Sequence, residues 1–330
     1  MQKIFHSYLK NYIFLRNEKL QDESIKLLRE HEIVKNSNIY FVTKIKKIRF
    51  NKNISISFNG NLKGSLSIGK DKISFSYPLI EFYFSMPEIE NHFKNRFNFL
   101  NTYYGCKLGI SILNQLCMKY KFYKDFKINH NLSNPDGKNI YINSGLTKKL
   151  TNKSDKLIIQ SENFLGLLES NKTIDNLDFK GELIYIGKSK EITKRTSKHD
   201  KFSKFYSQLN DDEELLFYFL EFDDSNLSID NHPLLNNFKI ISNLKVDEIT
   251  KENRVDLIES SLINYFKPLL NKQEKYSDLE KSNKVNECLK KNGFTDIHIE
   301  LITEGAISKF GNKTINHNNI HNIKYNLKHY

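Results

Sequence analysis

The sequence predicts an α+β fold: a small antiparallel or mixed sheet flanked by helices, preceded by a separate α+β N-terminal domain. Three observations carry this. Residues 54–77 alternate apolar and polar through Ile54-Ser55-Ile56-Ser57-Phe58, Leu66-Ser67-Ile68 and Ile73-Ser74-Phe75-Ser76-Tyr77, with a turn signal at Asn59-Gly60-Asn61. That period of two reads as an antiparallel meander. Residues 254–268 place Val255, Ile258, Leu262 and Phe266 on one helical stripe and stop at Pro268, as an amphipathic helix does. Leu183-Ile184-Tyr185-Ile186 is a short β-rich run that halts at Gly187 and passes into a basic, helix-like segment.

In chain order, residues 8–35 read as a helix with an imperfect stripe through Leu15, Leu20, Ile25, Leu27 and Leu28. Ile39-Tyr40-Phe41-Val42 and 45–50 read as strands, and the meander follows. Two helices are expected after Pro87, with aromatics packed densely between Phe75 and Phe126. Lysines 119, 121, 124 and 127 interleave with Tyr120, Phe122, Tyr123 and Phe126, a pattern that fits core packing better than a strand-tracking surface. The polar stretch 144–155 is taken as a boundary. Phe164-Leu165-Gly166-Leu167-Leu168 reads as a strand, Leu215–Leu220 as a buried central strand, and Ile297–Ile302 as an alternating strand. His317, His321 and His329 fall in an Asn-rich tail read as solvated. The expected division is 1–150 for target recognition or partner docking, 156–275 for the unit carrying the chemistry, and 276–330 as a C-terminal extension.

With 38% apolar and 27% charged residues, a 330-residue chain can bury a sizeable core and is not a disordered polymer. The net charge of +12 favours a polyanionic partner, nucleic acid before a membrane surface. Cys106, Cys117 and Cys288 lie far apart, which suggests neither a disulfide framework nor a CxxC metal site. No leader or spanning segment is read, so a cytoplasmic protein without a membrane partner is expected.

The chemistry-bearing residues cluster around Gly187. On a helix, Arg195 and His199 are four apart and share a face, while Tyr185 and Lys188 flank the strand's end. A phenol, an ammonium, a guanidinium and an imidazole suit a phosphodiester: cations for its charged oxygens, Tyr or His for proton traffic. Between Lys188 and Lys204 seven residues are basic and two acidic, giving that segment a cationic face. Glu259 lies on the flank of the amphipathic helix, as a salt-bridge partner or as a ligand for a hard cation.

These residues resemble the GIY-YIG nucleases. Tyr185-Ile186-Gly187 matches the second signature triplet and Lys188 follows it directly. Arg195 comes eight residues after the glycine and His199 four after that. Glu259 within a helix, followed by Lys267-Pro268-Leu269-Leu270-Asn271, matches the metal-binding helix and terminal asparagine. The resemblance covers roughly 156–275 and implies a strand–strand–helix–strand–helix order. It implies metal-dependent cleavage of DNA to 5′-phosphate and 3′-hydroxyl ends, with Mg²⁺ on Glu259 (Mn²⁺ able to substitute). Tyr185, Lys188, Arg195, His199 and Asn271 would carry catalysis, in a restriction or defence role. A homodimer, or a partner protein held through the N-terminal domain, would accompany it. One position departs from the pattern: the tyrosine of the first triplet falls on Leu165 or Leu168. Tyr185 then acts alone, or Tyr141, Tyr206 or Tyr218 fills in. The competing expectation is a catalytically impaired relative that serves as a nucleic-acid-binding or protein-interaction module.

Overall fold

The computed structural model describes residues 2–16, 31–84, 96–105, 118, 120–129, 136–151, 155–170, 179–188, 202–231, 239–244, 249–271 and 283–327. The chain divides into two compact units: residues 1–45 with 179–330, and the inserted residues 46–178. This differs from the contiguous division expected from the polar stretch 144–155. The reason is strand pairing: both N-terminal strands hydrogen-bond to strands from the C-terminal half.

Strand β1 spans Gln2–Arg16; the helix expected over 8–35 is a strand over 8–16, and residues 17–30 lie outside the described residues. Strand β1 pairs antiparallel with β11 (Glu213–Asn231), from Gln2 opposite Ile229 to Arg16 opposite Leu216, and parallel with β13 (Phe294–Ile302). A central position between two partners overrides the weak helical stripe, because tertiary pairing outweighs local propensity. Phe5 and Ser7 face inward at 0% exposure, whereas His6 and Tyr8 point to the opposite face. Helix α1 (Glu32–Asn36) leads into β2 (Ile39–Lys46).

The inserted unit holds two antiparallel sheets. The first comprises β3 (Ile48–Phe50), β4 (Ser55–Ile56), β5 (Asn61–Ile68) and β6 (Asp71–Pro78). The meander expected over 54–77 is present, with β5 pairing both β4 and β6. Helices α2 (Leu79–Phe84) and α3 (Arg96–Tyr104) follow. Next come β7 (Phe126–Ile128), β8 (Asn139–Ser144), α4 (Gly145–Thr151), β9 (Lys156–Gln160) and α5 (Ser161–Ser170). Strands β7, β8 and β9 form the second sheet.

The expected strand through Phe164–Leu168 is therefore a helix. Phe164, Leu165 and Leu168 are all fully buried; their i, i+1, i+4 spacing is one helical face, which an apolar run of that length does not distinguish from a strand. Phe164 anchors the unit, its ring edge-on to Phe75 and Tyr77 at centroid distances of 4.8 and 5.3 Å.

The chain returns to the first unit with β10 (Gly181–Lys188), α6 (Phe202–Tyr206), β11, β12 (Lys239–Leu244) and α7 (Lys251–Phe266). A 3₁₀ turn at Leu269–Asn271, α8 (Asn283–Lys291), β13, β14 (Phe310–Gly311) and β15 (Ile320–Asn326) complete it. The mixed eight-stranded sheet runs β14-β10-β2-β11-β1-β13-β15, with β12 alongside β11. One face carries a core of Tyr40, Val42, Ile184, Tyr185, Phe205, Phe217 and Phe219. On the other, Phe41 packs against Phe266 of α7 and against Phe310. Among the described residues no helix is long and apolar enough to cross a membrane.

Two charge patterns change meaning in this frame. The acidic run 211–224 is largely paired within the unit: Glu213 with Lys44, Glu214 with Arg16, Glu221 with Lys10 and Asp224 with Arg254. Of the histidines read as a solvated tail, His321 is buried, and His329 lies outside the described residues. His321 is 3% exposed, and its Nε2 lies 3.0 Å from the carbonyl oxygens of Phe310 and Asn318.

Candidate active site around the end of strand β10

Helix α7 is well specified. The Thr250 hydroxyl accepts the Asn253 amide at its start, and Lys267 closes it in the left-handed region at φ 48°, its N–H donating to Ile263 O before Pro268. This frame fixes Asp256 and Glu259, three apart and so on neighbouring positions of one helix face. The Lys188 ammonium from the end of β10 lies 2.7 Å from Asp256 Oδ1 and 3.0 Å from Glu259 Oε2. Burial pushes the Lys188 pKa down, but the two carboxylates outweigh it and the net direction is upward; the side chain is a full cation at neutral pH. Glu259 is the more enclosed carboxylate, at 14% side-chain exposure against 42% for Asp256. Two carboxylates around one positive charge form a hard oxygen donor set. That is the kind of set a Mg²⁺ ion takes, with the remaining positions filled by water or phosphate oxygens. Glu259 and Asp256 are the residues that would hold such an ion.

Asn271 braces the strand. Its Nδ2 donates to Ile186 O at 2.8 Å and its Oδ1 accepts from Ile186 N at 2.9 Å. Strand β14 covers β10 only at Gly181 and Glu182, so beyond them the outer edge of β10 lacks that partner strand. The side-chain amide of Asn271, 1% exposed, satisfies both backbone groups there as a neighbouring strand would. Asn271→Ala leaves a buried N–H and C=O without partners, an expected loss of about 2–5 kcal/mol in unfolding free energy. Urea denaturation checks it: a variant within about 1 kcal/mol of the parent would show that the bridge is not needed.

Tyr185 and Gly187 share one face of β10 and Ile186 and Lys188 the other, by strand alternation. Tyr185 lies in the core with α6, its ring 5.3 Å from Phe205. Strand β2 pairs antiparallel with β10, Tyr40 opposite Gly187 and Val42 opposite Tyr185. The Tyr40 and Tyr185 rings are 5.9 Å apart. A Cβ on Gly187 would come within 2.7 Å of Tyr40 Cζ and Oη and 2.8 Å of Tyr185 Cε1. Glycine is therefore required here by the approach of two phenols, not by an unusual φ.

Neither Leu165 nor Leu168 lies beside β10; the tyrosine opposite Gly187 on the neighbouring strand is Tyr40. Leu165 and Leu168 belong to helix α5 of the inserted unit, as does Tyr141 to β8. Tyr206 is 46% exposed, and Tyr218 donates its hydroxyl to Ile307 O at 2.6 Å. The strand partner of β10 is β2, and Asn38-Ile39-Tyr40 carries the Ile-Tyr pair that would have signalled it. Asp256 was also missed, though its i, i+3 spacing from Glu259 was legible.

The structure thus brings together Lys188, Glu259 and Asp256 by ion pairs, Asn271 with β10, and Tyr185 with Tyr40. Arg195 and His199 lie outside the described residues. Comparison of the chain with family models, curated proteins and solved structures returns no match, so the chemical meaning of this site is carried by its own residues.

Proposed function

We propose that the chain is a metal-dependent DNA endonuclease of the GIY-YIG type, hydrolysing phosphodiester bonds to 5′-phosphate and 3′-hydroxyl ends. One observation carries the reading. The strand beside Tyr185-Ile186-Gly187 is the one that begins with Ile39-Tyr40, and the end of β10 delivers Lys188 to two helical carboxylates. With β12 set aside, β2, β10, α6, β11 and α7 follow the strand–strand–helix–strand–helix order that the resemblance implies, β2 lying outside residues 156–275 and the inserted residues 46–178 falling between the first two strands in sequence.

A scissile phosphate would straddle the end of β10, with phenols on one side of Gly187 and carboxylates on the other. Tyr185 and Tyr40 orient the attacking water and hold its proton. Lys188 neutralises charge on the phosphate oxygens, joined by Arg195, and His199 relays the proton. Glu259, with Asp256 beside it, holds the divalent ion, which when bound supplies Lewis-acid stabilisation of the phosphate and leaving oxygen. Asn271 keeps β10 in register beneath these groups. The net charge of +12 supplies long-range attraction to DNA.

A second reading, a catalytically impaired binding module, is favoured by the burial of both phenols, 1% exposed for Tyr40 and 4% for Tyr185. A plasmid-nicking assay with Mg²⁺ against EDTA separates the two. Nicks that appear only with Mg²⁺ and reseal with ligase support the endonuclease. Retarded but uncut plasmid under both conditions would sink it in favour of the binding module.

A further inference from the structure

We propose that His6, His298 and Glu300 form a second metal site, for a borderline divalent transition ion of the zinc class, on the face of the sheet where β1 meets β13. The site does not depend on the nuclease reading. His6 sits on β1, His298 lies directly opposite it on the parallel neighbour β13, and Glu300 follows two residues on along the same face. One ligand atom from each side chain can be chosen so that all three lie within 4.8 Å of one another. His6 Nε2 is 3.5 Å from Glu300 Oε2, and His298 Nε2 is 3.8 Å from Glu300 Oε1.

Three features distinguish this cluster from an ordinary ion pair. Both Nε2 atoms are buried and neither has a hydrogen-bond partner. Their contacts to Glu300 are too long or misaligned for hydrogen bonds, a buried imidazole nitrogen without one is costly, and a cation between them would satisfy both at once. His6 Nδ1 lies 3.3 Å from Ser225 Oγ; an Nδ1–H donated to that oxygen leaves the Nε2 lone pair for a metal, the outer-shell arrangement that commonly orients a ligating histidine. Tyr8 stacks on His6 at 5.7 Å and 28°, which fixes the ring plane.

The donor set selects the ion. Zinc–nitrogen and zinc–oxygen bonds of about 2.0–2.2 Å place tetrahedral ligand atoms roughly 3.3 Å apart; the 3.5 and 3.8 Å separations run to the two different oxygens of Glu300 and the three ligand atoms lie within 4.8 Å of one another, so side-chain rotation must draw them together around the ion. Two imidazoles and one carboxylate suit zinc, iron, cobalt or nickel and are poor for Mg²⁺, which prefers oxygen ligands throughout. Three protein ligands leave a fourth position open to water or to an incoming group. The ion would also pin the N-terminal strand to the C-terminal hairpin, since His6 lies near one end of the chain and the other two ligands near the other.

The test uses the full chain carrying Glu259→Gln, so that the carboxylate pair of α7 does not compete, dialysed against EDTA and then titrated with Zn²⁺ alone. One ion per chain with a Kd of about 10 μM or tighter is expected. His298→Gln and Glu300→Gln should each weaken it at least about tenfold. Saturating Zn²⁺ should raise the Tm by about 5 °C, and this rise should vanish in both variants. Zinc binding of unchanged affinity in both variants, or no binding at all, overturns the proposal. Should either variant fail to fold, Co²⁺ added to the parent chain decides. Intense visible bands of a four- or five-coordinate ion support the site, and the weak spectrum of hexa-aqua Co²⁺ overturns it.

Discussion

Glu259→Gln is expected to reduce Mg²⁺-dependent cleavage by at least about 10³-fold in single turnover, some 4 kcal/mol of transition-state stabilisation, while DNA affinity at fixed salt stays within about threefold of the parent. The substitution keeps shape and removes charge. Glu259 is the less exposed of the two carboxylates bound to Lys188, so a bound cation there is the less screened by water. Folding should be little affected. The Lys188 side chain is 41% exposed and keeps Asp256 as a partner, so its charge is not left buried and unpaired. Asp256→Asn, at the more exposed position, should cost only about tenfold. DNA binding depends mainly on phosphate neutralisation by Lys and Arg, and neither variant removes a cation. Full cleavage by Glu259→Gln would refute its role as metal ligand. A dead Asp256→Asn beside an active Glu259→Gln would transfer that role to Asp256.

Much of this site was legible before any coordinates. Tyr185-Ile186-Gly187-Lys188, Glu259 and Asn271 are local signals: a strand stop, a helix face, a turn after Pro268. Each depends on neighbours within a few residues: β10 runs to Lys188, Glu259 falls within α7 and Asn271 in the turn after Pro268. The failures share a different cause. Tyr40 stands beside Gly187 only because β2 pairs with β10 across the inserted residues 46–178, and periodicity does not report which strands pair. The same blindness placed the boundary at 144–155, although β1 and β2 belong to the sheet of the C-terminal half. Residues 8–16, expected in a helix, form a strand and residues 164–168, expected as a strand, form a helix, since short apolar runs satisfy both periods and only the partners decide. The paired acidic run and buried His321 were likewise hidden. The countercharges of that run lie at Arg16, Lys10, Lys44 and Arg254, far from it in sequence.

Tyr40→Phe separates a pair of packed rings from a working phenol pair. Removing one hydroxyl keeps the ring, so the contact with Tyr185 at 5.9 Å and the surrounding core should persist. If the hydroxyl orients or holds the proton of the attacking water, cleavage should fall about 10²-fold or more, and Tyr185→Phe should fall at least as far. Gly187→Ala approaches the same pair from the backbone. Its new methyl would lie 2.7 Å from Tyr40 Cζ and Oη, and Tyr40 is 1% exposed, so the rings have little room to yield. Overpacking of this kind costs about 1–3 kcal/mol of stability and displaces both hydroxyls together. Cleavage by Gly187→Ala should therefore drop to the level of the Tyr40→Phe, Tyr185→Phe double variant, measured on DNA at saturating Mg²⁺ and below the variant's Tm. If Tyr40→Phe cuts at the parental rate while Gly187→Ala is merely less stable, Tyr40 is a core residue. The chemistry at the end of β10 would then rest on Tyr185 alone.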